Sequence, residues 1–310
     1  MTMQKEQLIK AFSGITGQQA VLADEPMRLH TTFRIGGPAD IFVKPSSPPE
    51  VRALIKVCEE AGYPYFVMGN GSNLLVSDKG IRGAVISIGR DMSQIRVEET
   101  RIEAEAGAYL SAIAAAAEEH SLTGFEFAGG IPGTLGGACV MNAGAYGGEM
   151  KQVLRSVTCL TEDREIEELP ASGLELGYRS SIFMRKDMIV LSAVINLERG
   201  DPETIRGLSA DLRERRQSKQ PLSLPSAGST FKRPEGYFAG KLIMDAGLRG
   251  YRVGGAQVSE KHCGFVVNTG GATAEDVRTL IADVAKRVKE QFGVRLQTEV
   301  RLVGDFGEDA

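Results

Sequence analysis

The sequence predicts an α+β protein with more than one domain. The chain has 310 residues, 42% of them hydrophobic, which is enough for about two or three separate cores. Apolar residues alternate in some short segments and recur at helical spacing in others, so strands and helices are mixed along the chain. Asp201-Pro202 reads as a new helix start after a run of strands. We therefore place a domain boundary near Gly200.

Residues 1–200 are predicted to form the larger domain, with subdomains at about 1–92 and 93–200. Ser47 to Glu50 reads as a capping box with Pro at the first helical position, so a helix should begin there. The other predicted elements are, in chain order, a helix at 4–15, strands at 65–68, 74–77 and 84–88, a hairpin at 95–105, a helix at 110–120, and strands at 153–161, 165–169 and 189–197.

Residues 201–310 are predicted to form the smaller domain, also of mixed helix and strand. Its predicted elements are a helix from 202 to about 217, a loop at 221–228, a helix near 241–246, a strand at 265–268, a long helix at 274–292 and a last strand at 297–303. The sequence shows neither repeats nor low-complexity tails.

Composition and charge narrow the class of partner. The sum of Lys and Arg is 36 against 40 for Asp and Glu, a net charge of −4, so no positive excess points to nucleic acid or a membrane surface. The N-terminus lacks the apolar core of a secretory signal, and Ala112 to Ala117 is far too short to span a bilayer. None of the four cysteines sits in a Cys-x-x-Cys pair, which favours buried thiols over disulfides or zinc. We predict a cytoplasmic protein without a metal site.

Two glycine-rich segments carry the strongest chemical signal. They are GNGSN at 69–73 and GGIPGTLGGACVMNAGAYGG at 129–148. Glycine lets backbone N–H groups approach an anion closely, and two such loops suit the two phosphates of a pyrophosphate. GNGSN alone would more often be a tight turn, but the pair favours a nucleotide cofactor. Neither a P-loop nor a Gly-x-Gly-x-x-Gly fingerprint is present, which disfavours a Rossmann fold.

Several segments, in order and over most of the chain, resemble the UDP-N-acetylenolpyruvoylglucosamine reductase (MurB) family. They are HTTFRIGGPADIFVKP at 30–45, GNGSNLLVSDKGIRG at 69–83, GGIPGTLGGACVMNAGAYG at 129–147, GYRSSIF at 177–183, SAGSTFKRP at 226–234, GLRGYRVGGAQVSEKHCGFVVN at 247–268 and TEVRLVG at 298–304.

The resemblance implies a vanillyl-alcohol-oxidase/PCMH-type FAD-binding domain of two subdomains plus a smaller α+β substrate-binding domain. It implies NADPH-dependent reduction of UDP-N-acetylglucosamine enolpyruvate to UDP-N-acetylmuramate through FAD, in peptidoglycan precursor synthesis. The compact segment 221–232 looks like the shorter family type, which lacks an extra loop carrying a substrate-covering Tyr. The expected partners are small molecules only, the UDP-sugar and NADPH, and the expected state is a monomer.

Three catalytic residues carry over by their motifs. Arg179 in GYRSSIF would stabilise negative charge on the substrate carboxylate, Ser229 in SAGSTFK would donate a proton to carbon, and Glu299 in TEVRLVG would lie near the carboxyl carbon. Without the resemblance, each would more often be a turn residue or a solvent-facing residue.

The candidate binding residues fall into two sets. The cofactor set is Gly69, Asn70, Gly71, Ser72, Asn73, Gly130, Ile131, Pro132, Gly133, Gly136, Gly137, Ala143, Gly144 and Arg216. The substrate set is Tyr178, Lys219, Lys232, Gln257 and His262. Lys241 and Lys261 could bind the UDP pyrophosphate or be solvated surface charges.

Two other functions are compatible with these motifs. One is an FAD-dependent oxidase of the same fold superfamily, which would pass its electrons to oxygen and need no UDP-sugar. The other is a UDP-sugar-binding protein without catalysis, although the presence of Arg179, Ser229 and Glu299 together disfavours it.

Overall fold

A computed structural model describes residues 5–307 of the chain, so residue 4 of the first predicted helix lies outside the described residues. Within that range, no helix is long and apolar enough to cross a membrane. The helices are α1 (Lys5–Thr16), α2 (Pro48–Ala61), α3 (Leu110–Glu119), α4 (Leu135–Met141), α5 (Pro202–Lys219), α6 (Ala239–Asp245) and α7 (Ala274–Phe292).

The strands are mostly short and form several sheets. They are β1 (Val21–Pro26), β2 (Pro38–Val43), β3 (Tyr65–Met68), β4 (Leu74–Val76), β5 (Ile81–Ser87), β6 (Ile95–Glu98), β7 (Arg101–Glu105), β8 (Leu122–Thr123), β9 (Gly144–Ala145), β10 (Gly148–Glu149), β11 (Leu154–Leu160), β12 (Ile166–Pro170), β13 (Ile189–Asn196), β14 (Glu198–Arg199), β15 (Arg252–Val253), β16 (Ala256–Val258), β17 (Val266–Asn268) and β18 (Arg301–Val303). The sheet orders are β1-β2-β5-β3, β12-β11-β13-β7-β6, β15-β16-β17 and the pairs β9-β10, β8-β14 and β4-β18.

The described chain divides into two compact units, each built from segments distant in sequence. The first unit comprises the described residues up to Leu22, then Phe42–Asn70 and Val85–Arg216. The second unit comprises Ala23–Ile41, Gly71–Ala84 and the described residues from Gln217 onward. The predicted domain boundary near Gly200 and the predicted subdomains stay predictions.

The first unit is built around the five-stranded antiparallel sheet. The hairpin predicted at 95–105 is confirmed, because β6 and β7 pair antiparallel from Ile95↔Ala104 to Glu98↔Arg101. Both faces of β11 contribute to the core, since Val157 and Cys159 on one face and Leu160 on the other are fully buried. The predicted Ala-rich helix is α3, which buries Leu110, Ile113 and Ala117 at helical spacing.

The second unit packs its sheet and short helices against α7. The apolar residues that α7 buries recur every three or four positions and form one face, which is why the sequence pattern predicted this helix with its observed bounds. A capping box between Thr273 and Asp276 begins α7, and Gly293 in the left-handed conformation ends it. The buried face of α7 consists of Ala274, Val277, Leu280, Val284 and Val288.

Long-range pairing completes the second unit. β4 and β18 are parallel neighbours in register Leu74↔Arg301 to Val76↔Val303. The Asp78 carboxylate, just after β4, accepts from the backbone N–H groups of Ala274 (2.9 Å) and Glu275 (3.1 Å) at the start of α7. A negative side chain thus satisfies two of the free donors at a helix N-terminus.

The predicted capping box at Ser47 is wrong. Ser47 is the N-cap of α2, but its side chain makes no capping hydrogen bond. The Glu50 carboxylate instead accepts from the backbone N–H (2.7 Å) and the hydroxyl (2.8 Å) of Ser46, one residue further out. The carboxylate finds two donors on one residue there, and Pro49 removes one of the two backbone N–H groups from which the Ser47 hydroxyl could accept.

Candidate functional site

The glycine-rich segment of the first unit is held by backbone hydrogen bonds to the chain that follows β7. Leu135 N–H donates to the Ala108 carbonyl and Gly136 N–H to the Ala106 carbonyl, both at 2.8 Å. Tyr109 and Thr134 form an antiparallel bridge. These contacts fix the predicted cofactor residues Gly133, Gly136 and Gly137 at the start of the short helix α4, which the sequence pattern did not predict.

Asn70 connects the end of β3 to this segment. Its side-chain amide donates to the Pro132 carbonyl at 2.8 Å and accepts from the Tyr109 hydroxyl at 3.2 Å. Gly69 lies beside Thr134, and a Cβ at position 69 would stand 2.2 Å from the Thr134 hydroxyl oxygen. The structure therefore brings the predicted residues Gly69, Asn70 and Pro132 together, and a side chain at position 69 would have to displace the Thr134 hydroxyl.

Three buried polar atoms of the first unit lack a hydrogen-bond partner within residues 5–307. They are Thr134 Oγ1 and the Nε and Nη1 atoms of Arg216. Arg216 lies against the glycine-rich segment, since a Cβ at Gly130 would be 2.7 Å from Arg216 Nη1. Burial lowers the pKa of Arg216, and a hydrogen bond with Tyr146 opposes that shift.

Unpartnered buried donors are costly, on the order of 1–3 kcal/mol each. A guanidinium with free N–H groups, a free hydroxyl and glycines without side chains are the groups that would bind a pyrophosphate. The residues present thus fit an anionic nucleotide cofactor at this segment. Thr134 lies within the glycine-rich segment at 129–148, but the sequence alone does not identify it as a binding residue. No sequence signal marks it, because its hydroxyl becomes distinctive only once it is known to be buried.

Arg179 lies in a tight turn next to the same segment. Gly177 and Ser180 form an antiparallel bridge, and Arg179 between them has φ 51°, a left-handed conformation that is uncommon for a residue with a Cβ. Its guanidinium donates to the Gly144 carbonyl at 3.1 Å and lies 5.2 Å from the Tyr178 ring centroid. The structure therefore brings the predicted residues Tyr178, Arg179 and Gly144 together.

Asn142, which the sequence analysis missed, fixes this turn. It is fully buried and ends α4 in the left-handed conformation. Its amide donates to the Gly177 carbonyl at 2.9 Å and accepts from Lys151 N–H at 2.8 Å. The sequence does carry a signal for this helix end: Asn142 follows a short apolar run, and Asn tolerates the left-handed conformation that ends a helix.

Ser229 and Glu299 lie on neighbouring segments of the second unit. Thr230 N–H donates to the Gly264 carbonyl at 2.9 Å on one side, and Glu299 N–H donates to the Thr230 carbonyl at 2.8 Å on the other. Ser229 forms an antiparallel bridge with Phe265. The Ser229 side chain is exposed while Thr230 is buried, so the paired segment presents the serine hydroxyl outward.

The GNGSN loop is divided between the units, with Gly69 and Asn70 in the first and Gly71, Ser72 and Asn73 in the second. Asn73 lies beside Glu299. Its amide donates to the Glu299 carbonyl at 3.0 Å, and its carbonyl accepts from Arg301 N–H at 2.9 Å. Cofactor binding by residues 71–73 stays a prediction.

Two predicted substrate residues occur in the sheet region of the second unit. The buried Gln257 amide donates to the Gly250 carbonyl at 3.3 Å and accepts from Arg252 at 3.1 Å. His262 Nδ1 accepts from Gly264 N–H at 3.1 Å, which leaves the ring proton of the neutral form on Nε2. Burial lowers the pKa of His262, so the ring is neutral at pH 7.

The lysine candidates differ in their surroundings. Lys241 pairs with Asp245 one helical turn away at 2.8 Å, and Lys261 Nζ donates to the Gln217 carbonyl at 2.5 Å. Lys219 is exposed at the end of α5, and Lys232 is half-buried three residues after Ser229. The ion pair of Lys241 favours its reading as a surface charge.

Known proteins resemble the chain over nearly its whole length. Residues 220–303 match the C-terminal domain of UDP-N-acetylenolpyruvoylglucosamine reductase, and residues 39–169 match an FAD-binding domain. A UDP-N-acetylenolpyruvoylglucosamine reductase from Agathobacter rectalis is 55% identical over 310 residues, covering 96% of this chain and 98% of its own. The crystal structure of the Thermus caldophilus reductase aligns with a TM-score of 0.77 at 32% identity, covering 91% of this chain and 98% of its own.

A more distant structure agrees on the fold alone. The 4-ethylphenol oxidase from Gulosibacter chungangensis aligns with a TM-score of 0.50 at 15% identity, covering 94% of this chain and 64% of its own. The predicted α+β class with a vanillyl-alcohol-oxidase/PCMH-type FAD-binding domain is confirmed. With 55% identity to a named reductase over 96% of its residues, the chain belongs to the UDP-N-acetylenolpyruvoylglucosamine reductase family.

Proposed function

We propose that the chain reduces the enolpyruvyl ether of UDP-N-acetylglucosamine enolpyruvate to UDP-N-acetylmuramate, with FAD as cofactor and NADPH as reductant, in peptidoglycan precursor synthesis. The observation that carries the proposal is the 55% identity to a named reductase over 96% of the chain. The match of residues 39–169 to an FAD-binding domain supports the cofactor.

The residues that would hold FAD are those of the glycine-rich segment and its neighbours. Arg216 would supply its Nε and Nη1 donors and Thr134 its hydroxyl, which are the buried polar atoms without partners in the described structure. Gly69 and Gly130 keep side chains out of the space beside those atoms. When bound, FAD supplies a two-electron carrier between NADPH and the substrate.

Arg179, Glu299 and Ser229 would then act on the substrate. Addition of a hydride to the terminal enol carbon places negative charge on the adjacent carbon and its carboxylate. The fork of donors on Arg179 would stabilise that charge, and Glu299 would share a proton with the developing enolate. Ser229 would give its hydroxyl proton to the adjacent carbon, which completes the addition of H₂ across the double bond.

The serine alkoxide left by that transfer needs a nearby cation. Lys232 follows Ser229 by three positions on the same paired segment, where its backbone N–H donates to the Gln297 carbonyl at 2.8 Å. We propose Lys219 and Lys232 as the two candidates for stabilising the alkoxide. A positive charge close to a hydroxyl lowers the free energy of the deprotonated form.

The substrate would be bound by Tyr178, Lys219, Lys232 and His262, with Gln257 in a supporting role. His262 would act as a neutral Nε2–H donor rather than as a cation, since its Nδ1 accepts from Gly264. Gln257 would act indirectly, by holding β15 and β16 through its bonds to Arg252 and Gly250.

Separating the two half-reactions under anaerobic conditions tests the reaction. NADPH should bleach the flavin absorbance, and the enolpyruvyl UDP-sugar should then restore it with formation of the saturated product. Reoxidation by air alone, without an effect of the UDP-sugar, would support the oxidase alternative. Binding of the UDP-sugar without any return of colour would support the non-catalytic alternative.

The predicted monomeric state and cytoplasmic location remain part of this proposal. Light scattering on the purified protein tests the first, and fractionation of cells that produce the chain tests the second.

A further inference from the structure

We propose that Arg164, through the start of β3, positions the Gly69–Asn70 turn for FAD and so raises the affinity for the cofactor. Arg164 lies in the turn between β11 and β12 of the first unit. The inference concerns a positioning residue, and it rests on FAD binding but not on the identity of the UDP-sugar substrate.

The Arg164 guanidinium is the centre of a polar cluster. Its Nε (2.8 Å) and Nη2 (2.6 Å) donate to Glu59 Oε1, near the end of α2. Nη2 also donates to the Tyr65 hydroxyl at 3.0 Å and to the Asp187 carboxylate, while Nη1 donates to the Asp187 carbonyl at 3.0 Å. The Arg164 side chain is only 16% exposed, so water does not replace these bonds easily.

The backbone of Arg164 indicates that the side chain is needed at this position. Arg164 N–H donates to the Thr161 carbonyl at 3.0 Å and closes a tight turn. Its φ is 62°, in the left-handed region that glycine or asparagine usually occupies in such turns. An arginine is strained there, and the bonds of its guanidinium offset that strain.

The polar cluster fixes both sides of the connection between α2 and β3, and β3 leads to the Gly69–Asn70 turn. Glu59 belongs to α2 and Tyr65 is the first residue of β3, so Arg164 fixes the helix and the strand on either side of the turn between them. β3 ends at Met68, directly before Gly69 and Asn70. At about 3.3 Å per residue, the strand carries a displacement of Tyr65 to the turn about 13 Å away.

The polar cluster around Arg164 keeps its charges and hydrogen bonds around neutral pH. Burial acts to lower the pKa of Arg164, but the hydrogen bonds to Glu59 and Asp187 outweigh it and raise that pKa. Burial, with the Asp187 charge, raises the pKa of Tyr65 to about 12. Arg164 therefore stays charged and Tyr65 stays a neutral hydroxyl, which donates to Asp187 at 3.2 Å.

A neighbouring ion pair provides a matched control. Arg52 of α2 binds Glu165, the residue after Arg164, at 2.8 Å. It links the same two parts of the chain, but its side chain is 45% exposed and that of Glu165 60% exposed. An exposed pair of this kind adds little stability, and within the described residues the Arg52 guanidinium donates to Glu165 and not to Tyr65.

The test is FAD binding by the apoprotein of the full chain, followed by quenching of flavin fluorescence. Arg164→Gly relieves the backbone strain and removes the guanidinium, and Arg164→Gln removes the charge without relieving the strain. We expect both to weaken FAD binding on the order of 10-fold to 100-fold, the range seen when a residue that orients metal ligands by hydrogen bonding is lost. Arg52→Gln should change the dissociation constant less than about 2-fold.

A dissociation constant of Arg164→Gly equal to that of the parent would overturn the proposal, since a residue that only shapes the turn is replaced by glycine without loss. An equal loss in Arg52→Gln would overturn it as well. Circular dichroism establishes that each apoprotein is folded. If neither Arg164 variant folds, Tyr65→Phe decides, with binding expected to weaken several-fold and an unchanged constant counting against the proposal. No UDP-sugar is used, so failure of the proposed reaction leaves this result interpretable.

Discussion

The glycine-rich segment of the first unit and the Ser229 segment of the second unit satisfy their polar groups in different ways. Around the glycine-rich segment, Thr134 Oγ1 and two nitrogens of Arg216 are buried without partners among the described residues. The segment around Ser229 is hydrogen-bonded on both sides, through Thr230 to Gly264 and to Glu299. The buried donors of the first region thus fit a bound ligand, whereas the backbone of the second region is already hydrogen-bonded and presents its side chains. Substitutions should therefore affect cofactor affinity in the first and chemistry in the second.

The largest effect is expected at Ser229. Ser229→Ala should slow flavin reoxidation by the UDP-sugar on the order of 10²-fold to 10⁴-fold, because a positioned general acid is lost. Flavin reduction by NADPH should be nearly unchanged, since no proton goes to carbon in that half. Stopped-flow absorbance measures both rates.

Ser229→Cys is the matched variant, because a thiol can also donate a proton. It should retain activity that Ser229→Ala lacks. Equal slowing of both half-reactions would mean that Ser229 only shapes the segment, and the contrast between the two regions would fail.

Arg216→Met should weaken FAD binding on the order of 10-fold to 100-fold, since a hydrogen bond to a charged group contributes about 1.5–3 kcal/mol. The apoprotein should lose little stability, because removal of the two buried donors without partners offsets the loss of the hydrogen bond to Tyr146. Titration with FAD and thermal unfolding of the apoprotein measure the two quantities.

Arg215→Met is the control on the same helix. Arg215 pairs with Asp211 at the surface, at 2.8 Å and with more than half of its side chain exposed, so FAD affinity should stay within about 2-fold. A marked loss of apoprotein stability in Arg216→Met would show that Arg216 is a structural residue.

Gly69→Ala should lower the flavin content of the purified protein by a smaller factor, roughly 3-fold to 10-fold, because displacing the Thr134 hydroxyl loses about one neutral hydrogen bond. The new Cβ would stand 2.2 Å from Thr134 Oγ1 and must displace that hydroxyl. Gly14→Ala in α1 is the control, since nothing lies within 4 Å of its Cβ position. There the change should raise the free energy of unfolding by about 0.5–1 kcal/mol and leave flavin content unchanged. Equal flavin occupancy in both variants would contradict the prediction.

The smallest effect concerns His262 and the pH dependence of stability. Burial lowers its pKa in the folded state, so the unfolded chain binds its proton more readily. The stability contribution is present above the unfolded value near 6.5 and is lost as pH falls through it towards the folded value. His262→Asn should flatten the fall of melting temperature between pH 7.5 and 5.5. An unchanged slope would show that His262 does not titrate in this range.

Local sequence patterns predicted those elements whose structure depends mainly on residues within the element itself. α7 was predicted with its observed bounds, because its apolar period and its caps at Thr273 and Gly293 are local in sequence. β1, β2 and α4 were missed, and the last strand was predicted from 297 although β18 begins at Arg301. α4 contains glycines that disfavour a helix, and its start at Leu135 depends on the tertiary hydrogen bond to Ala108.

The candidate site shows the same division. Motifs were enough to single out Arg216 and Arg179 as candidates. Sequence could not show that two guanidinium nitrogens of Arg216 are buried while its neighbour Arg215 is exposed, because α5 is polar nearly all round and Ile205 is its one fully buried residue. Asn142 and Thr134 gain their significance from contacts with residues distant in the chain, and a single sequence does not encode those contacts in a local pattern.

The helix cap provided by Asp78 has a consequence for synthesis on the ribosome. Asp78 is translated early, yet the N–H groups that it caps belong to Ala274 and Glu275, which are translated much later. In the same way, β4 can pair with β18 only after Arg301–Val303 have been synthesised. The nascent second unit must therefore keep apolar side chains such as Phe33 and Leu75 uncovered while nearly all of the chain is made. Chaperone binding during translation is expected to protect these residues. If translation stops before Arg301, we expect the truncated polypeptide to be degraded rather than to fold into a smaller active enzyme.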